Sequence, residues 1–223
     1  AGGLGKRFHP LTVDYPKPLI KVAGKPMLER ILDQAKLSGF INFVMAVNFR
    51  ADLIKDYFGD GSTFGVNIDY ITEDKPLGTA GALGLMNKKP ELPVLVINGD
   101  VLAEVQFVDI LNFHNQNSAT ATMVVHNYEW QHPFGVVELD GIDFQSIKEK
   151  PVQRTNVNSG IYILEPEIIK LIKGQKYYDM PNVLKMIKKQ GKRVVAFPMH
   201  EDWLDLGRHD DLSKANRKLK RYE

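Results

Sequence analysis

At 223 residues the chain is long enough to bury the core of one α/β domain. With 29 basic against 27 acidic residues and a net charge of +2, it lacks the broad electrostatic footprint of a nucleic-acid or membrane-surface binder. The absence of cysteine excludes disulfides, thiolate nucleophiles and cysteine metal sites; no apolar run approaches the ~18–20 residues of a membrane span and no signal peptide is visible, so a cytoplasmic protein is the expectation.

The chain opens on Ala1-Gly2-Gly3-Leu4-Gly5-Lys6-Arg7-Phe8-His9-Pro10-Leu11-Thr12, followed shortly by Pro16-Lys17-Pro18. Three closely spaced glycines let a backbone approach phosphate oxygens and offer N–H groups to them. Arg7 adds a forked cation and Lys17 a point charge. A bland glycine-rich turn is the competing reading. A dinucleotide G-x-G-x-x-G loop fits less well, because Gly3-Leu4-Gly5 is followed by Lys6, Arg7 and Phe8 with no third glycine. A phosphate loop ordinarily follows a buried strand and none precedes Ala1. The expectation is that the first, central strand lies upstream and that this chain is part of a longer one.

Beyond the loop, Met27, Leu28, Ile31, Leu32 and Ala35 predict a helix over 27–37 that closes at Ser38-Gly39. Phe43–Val47 reads as a strand buried on both faces. A helix over 51–58, a strand over 66–71 and a helix over 79–86 follow, then a second buried strand at Val94–Ile97 that stops at Asn98-Gly99-Asp100. This alternation predicts a parallel, doubly wound sheet. The second half differs. Residues 119–126 and 135–139 alternate, Asp140-Gly141 signals a hairpin turn, and Val157–Leu164 is another strand. Helices are predicted at 167–173 and 182–190, strands at 194–197 and 203–206, and a last helix from about 209 to 222.

Several polar residues stand where chemistry would need them. Asp100 follows a strand, at the carboxyl end where ligands collect in open parallel sheets, and an aspartate there suits Mg²⁺ beside a triphosphate. A plain turn aspartate is the alternative. Asp205, in Trp203-Leu204-Asp205-Leu206-Gly207, again ends a strand; a helix N-terminal acid is its alternative. Glu149-Lys150-Pro151 also reads as an exposed charged turn, and Glu73 as a solvated loop acid. His9, His114, His126, His132, His200 and His209 show no metal spacing, and Trp130 and Trp203 read as packing groups.

These motifs together resemble the sugar-1-phosphate nucleotidyltransferases, the enzymes that make nucleotide sugars. The opening eighteen residues match GG-x-G-x-R-x-x-P-L-T…P-K-P, and the later matches fall in family order over nearly the whole chain. The fold so implied is Rossmann-like, three-layer α/β/α, with a mixed, mainly parallel sheet. It forms one domain, with a nucleotide-binding half over about 1–118 and a sugar-phosphate half over about 119–223. The resemblance implies that Gly2, Gly3, Gly5 and Arg7 hold the triphosphate and that Lys17 neutralises its reacting part. Asp100 and Asp205 hold Mg²⁺, in motifs like the family's G-D and W-x-D-x-G. Leu77-Gly78-Thr79-Ala80-Gly81 packs on base and ribose, and Glu73 takes the position that reads the base edge. Lys150 meets the sugar phosphate and Glu149 the sugar hydroxyls. Phe134-Gly135-Val136 resembles the segment whose glycine approaches the sugar, and Asn158-Ser159-Gly160-Ile161-Tyr162 the following N-x-G-x-Y strand.

The reaction so implied joins a nucleoside triphosphate to a sugar 1-phosphate and releases pyrophosphate. Its nucleophile is an already ionised phosphate oxygen, so positioning and charge neutralisation replace a general base. The string Glu73–Gly81 is closest to the mannose-1-phosphate guanylyltransferase branch and favours GTP. A domain that some bacteria fuse behind a pair of CBS domains looks closer still and implies an upstream regulatory domain. Uridylyl, thymidylyl and cytidylyl transfer, a molybdenum-cofactor guanylyltransferase and a non-catalytic nucleotide-sugar sensor stay open as alternatives, as do the sugar and a homo-oligomeric state.

Overall fold

The computed structural model describes residues 15–205. Gly2, Gly3, Gly5 and Arg7, and the helix expected near the carboxyl end, lie outside the described residues. A 3-10 turn at Lys17–Leu19 leads into the two-residue strands β1 (Lys21–Val22) and β2 (Lys25–Pro26), joined through Ala23 and Gly24, both at positive φ. Helix α1 (Met27–Leu37) buries the five apolar residues that its period marks and closes at Gly39, in the left-handed region. Strand β3 (Asn42–Val47) pairs in parallel with β4 (Asn67–Thr72), and α2 (Ala51–Phe58) is the crossover between them.

Next come α3 (Gly78–Gly81), extended by a 3-10 turn at Ala82–Leu85, then β5 (Val94–Ile97), β6 (Val101–Ala103) and α4 (Phe107–Gln116). Two long strands, β7 (Ala121–Gln131) and β10 (Val152–Leu164), enclose the hairpin β8 (Val136–Asp140) and β9 (Asp143–Lys148). The described chain ends with α5 (Pro166–Leu171), α6 (Met180–Lys189), β11 (Val194–Met199) and β12 (Trp203–Asp205).

The largest sheet has the order β11-β7-β10-β5. Its β5, β7 and β11 run one way and β10 runs against them. Alternate residues of β10 face two cores. Ile161 and Ile163 pack with Ala35 of α1 and with Phe107 and Ile110 of α4. Tyr162 and Leu164 pack with Ile168 and Ile169 of α5 and with Met180, Val183 and Ile187 of α6. The result is three layers, α/β/α, with a mixed sheet, as expected. Phe43 of β3 and Leu95 of β5 both pack against the first of these cores, while β3 and β4 form a two-stranded sheet of their own.

Two expectations of burial need correction. Strand β3 is not buried on both faces: Met45 and Val47 are enclosed by α1 and α2, but Val44, on the opposite face, is 45% exposed. Strand β5 is half-buried along its length, and among the described residues its ladder partner is β10 on one side. Trp130, expected as a packing group, packs its ring on that of His132, with centroids 4.2 Å apart. It stands 44% exposed on the outer part of β7, where β7 and β10 extend past the core as a two-stranded arm.

Candidate active site

The centre of the site is an irregularity in β10. Asn158 pairs with Val125 and Tyr162 with Met123, so residues 159–161 lie opposite Val124 alone. The bulge aims two carbonyls sideways, and each is taken by a different segment. The Asn98 amide donates to Gly160 O at 2.9 Å and the Trp203 indole N–H to Ser159 O at 3.0 Å. Ser159 Oγ donates to Val124 O at 2.9 Å and ties the bulge to β7. Gly160 has φ +80, and a Cβ there would lie 2.7 Å from Asn98 Nδ2, so glycine is required twice over.

These anchors set the two aspartates. Asp100 lies in the turn that follows Asn98, closed by the Val101 amide on Asn98 O at 3.2 Å. Asp205 lies across from Val101 in the antiparallel β6–β12 ladder, one residue beyond Asp100. Lys17, only 9% exposed, enters from the 3-10 turn and places Nζ 2.6 Å from Asp100 Oδ2. The structure thus brings together Lys17, Asp100 and Asp205, which are far apart in sequence. Among the described residues, no group of three or more His, Cys, Asp or Glu side chains is arranged to hold a metal. The donor set here is two carboxylates, hard oxygen ligands of the kind that Mg²⁺ takes while keeping several waters. One of them already seats a positive charge, so the pair fits such an ion.

Asn158, at the start of the bulge, donates its amide to Tyr162 Oη at 2.6 Å and accepts the Gly160 amide at 3.2 Å. Tyr162 is buried, which pushes its hydroxyl pKa upward, while the Asn158 hydrogen bond works against that shift.

A second group forms where the arm meets the β8–β9 hairpin. The His132 amide bonds Pro151 O at 3.0 Å and Gln131 Nε2 bonds Lys150 O at 3.2 Å, so the two connections run side by side. Gly135 and Glu149 meet there: a Cβ on Gly135 would stand 2.8 Å from Glu149 Oε2. Lys150 has φ +43, a left-handed conformation that costs a non-glycine residue about 1–2 kcal/mol.

A third group is the segment over 73–81. Glu73 accepts the Leu77 amide on Oε2 at 3.0 Å, which closes its own loop. Gly78 has φ +77, and the space of its missing Cβ is filled by Tyr178 O and Asp179 Oδ1 rather than left open. Thr79 is exposed and its hydroxyl oxygen accepts the Met180 amide at 2.8 Å. Asn98, Trp203 and Asp179 carried no signal as site residues in the sequence, whereas a glycine inside the strand at Gly160 is an ordinary mark of a bulge.

Across residues 1–221 the chain matches the family model described as Nucleotidyl transferase. It belongs to that family. The mannose-1-phosphate guanyltransferase of Debaryomyces hansenii is 32% identical over 222 residues, covering 94% of this chain and 60% of the relative. The enzyme of that name from Saccharomyces cerevisiae matches with the same identity and coverage. This nucleotidyl transferase chain therefore spans 60% of the length of those relatives. A Bacillus anthracis protein described as a glucose-1-phosphate thymidylyltransferase, solved with a sucrose, superposes with a TM-score of 0.80 at 24% identity, covering 98% of this chain and 92% of that one. That likeness shows a shared fold. HddC from Yersinia pseudotuberculosis, solved with GMP-PN, superposes with a TM-score of 0.71 at 25% identity, covering 98% and 96%. Among the described residues no helix is long and apolar enough to cross a membrane.

Proposed function

We propose that the chain joins a nucleoside triphosphate to a sugar 1-phosphate, giving a nucleotide sugar and pyrophosphate, with GTP as the preferred donor. The observation that carries this reading is the meeting of Lys17, Asp100 and Asp205 beside the β10 bulge. One oxygen of the sugar phosphate forms a bond to the α-phosphorus while the bond to the β-phosphate bridging oxygen breaks. The nucleophile is already ionised, so no proton has to be removed. The demand on the protein is to hold two anions in line.

Arg7 and the amides of Gly2, Gly3 and Gly5 are assigned to the triphosphate, with Lys17 neutralising its α-phosphate. Lys150 holds the incoming phosphate. Glu149 and Asn158 take the sugar hydroxyls, and Gly135 lets the sugar approach the backbone. Residues up to about 118 then serve the nucleotide and those beyond it the sugar phosphate. Asp100 and Asp205 would hold Mg²⁺, which when bound neutralises charge on the phosphates.

The base reading places Glu73 against guanine, whose N1–H and N2 amino group are adjacent donors. Its Oε2 already serves Leu77, but each carboxylate oxygen has two lone pairs. The guanyltransferase names of the relatives and the GMP-PN bound to HddC support the same base. A matrix of GTP, UTP, dTTP and CTP against mannose, glucose and hexosamine 1-phosphates, read as pyrophosphate release, tests the proposal. Turnover that is fastest with GTP is expected. No release with any pair would remove the transferase reading, and a faster rate with another base would remove only the guanine assignment.

A further inference from the structure

Helices α3 and α6 exchange their caps. Asp179 occupies the N-cap position of α6, yet its carboxylate makes no bond to that helix. It crosses to α3 instead, where Oδ1 accepts the Thr79 amide at 3.3 Å. In return Thr79 Oγ1 accepts the amide of Met180, the first residue of α6, at 2.8 Å. The next residue, Pro181, has no N–H to offer, so Met180 is the donor that most needs a partner. The other oxygen of Asp179 accepts the Tyr177 hydroxyl at 2.8 Å, so both carboxylate oxygens are fixed.

The backbone completes the strap. The Tyr178 amide donates to Leu77 O at 2.9 Å, and the Ala80 amide returns to Tyr178 O at 2.8 Å. Gly78, Gly81 and Gly84, three residues apart, turn one face to this segment. Cβ atoms there would lie 2.5 Å from Tyr178 O, 2.6 Å from Lys176 O and 2.8 Å from Ile172 O. The strap is rooted in the core, because Met180, Val183 and Ile187 are buried together with Ala80.

We infer that Asp179 is a positioning residue for the nucleoside triphosphate: it holds the segment over 77–81 in place from behind without touching the ligand. The inference rests on the reading of that segment as part of the nucleotide site. It explains why a glycine and a threonine stand at 78 and 79 by what lies behind them rather than by contact with a base.

The test is calorimetric titration of the full-length protein with each of the four nucleoside triphosphates in Mg²⁺, followed by KM measurements for both substrates. Asp179→Ala is expected to weaken the preferred triphosphate five- to tenfold and to leave the sugar 1-phosphate KM within twofold. Asp179→Asn keeps an acceptor at Oδ1 and is expected to restore binding to within twofold of wild type. If Asp179→Ala does not fold, Thr79→Val against Thr79→Ser reads the same split from the other side of the exchange. Triphosphate binding within twofold of wild type in Asp179→Ala, or an equal change in both substrates, would overturn the inference and leave the transferase reading standing. A wild-type protein that binds none of the triphosphates would overturn both.

Discussion

Lys17 Nζ rests 2.6 Å from Asp100 Oδ2, with the lysine side chain 10% exposed and the aspartate 34%. A lysine so nearly enclosed gains from a carboxylate beside it, because a charge taken out of water is costly unless it is paired. The pair therefore ties the 3-10 turn at Lys17–Leu19 to the turn after β5, at the place where phosphates and Mg²⁺ are proposed to meet.

Asp100→Asn and Asp205→Asn keep side-chain shape and remove the charge that a hard cation prefers. Each is expected to lower pyrophosphate release on the order of a hundredfold, the scale on which loss of one charge-stabilising group acts. Circular dichroism should show both folded. Near wild-type rates for both variants at limiting Mg²⁺ would refute the metal assignment.

Lys150 combines a proposed phosphate contact with a left-handed backbone at φ +43, so two substitutions separate the two roles. Lys150→Ala and Lys150→Gly should each weaken sugar 1-phosphate use by roughly tenfold to more than a hundredfold, the worth of a charge-assisted bond. Glycine relieves the strain, so Lys150→Gly should hold or raise Tm relative to Lys150→Ala. A lower Tm for the glycine variant would show that the strain is absent.

Gly135→Ala adds a Cβ 2.8 Å from Glu149 Oε2 and 3.1 Å from Ile147 Cδ1. The carboxylate, at the end of a flexible side chain, must move. KM for the sugar 1-phosphate is expected to rise about two- to tenfold, the range of one lost hydrogen bond, while the triphosphate KM stays unchanged. A rise in both constants would mean that the hairpin as a whole has shifted.

Tyr162→Phe removes the acceptor that orients the Asn158 amide and should raise the sugar 1-phosphate KM about two- to tenfold. It also has a signature in pH. Burial raises the hydroxyl pKa in the folded state, so its contribution to stability is intact below the unfolded value near ~10 and is lost as pH rises through the folded value. The urea midpoint of wild type should fall over that range, and that of Tyr162→Phe should fall less. Tyr57, Tyr70 and Tyr177 are shifted the same way, so part of the slope remains in the variant. Parallel slopes would show that Tyr162 does not titrate there.

By itself the sequence determined the elements whose signal is local. The period of Met27–Leu37 marks α1 and its buried face, the apolar runs at 43–47 and 94–97 mark β3 and β5, and Asp140-Gly141 marks the β8–β9 turn. The aspartates, Lys150 and the glycines were singled out by their place in motifs that resemble the family's, since residue type alone left a turn aspartate and an exposed charged turn as readings. Helix α4 was not among the expected elements, although Phe107, Ile110, Leu111 and His114 stand at helical spacing; what the sequence could not show is its start, where the Phe107 amide bonds Ser38 Oγ at 3.2 Å. The outer parts of β7 and β10 lacked alternation because both of their faces are exposed. Only the tertiary structure decided the β10 bulge, the seat of Lys17 on Asp100 and the cap exchange between Thr79 and Asp179. Each joins groups that meet only once the sheet and its flanking helices are packed. A hydrogen bond between residues far apart in sequence leaves no periodicity along the chain.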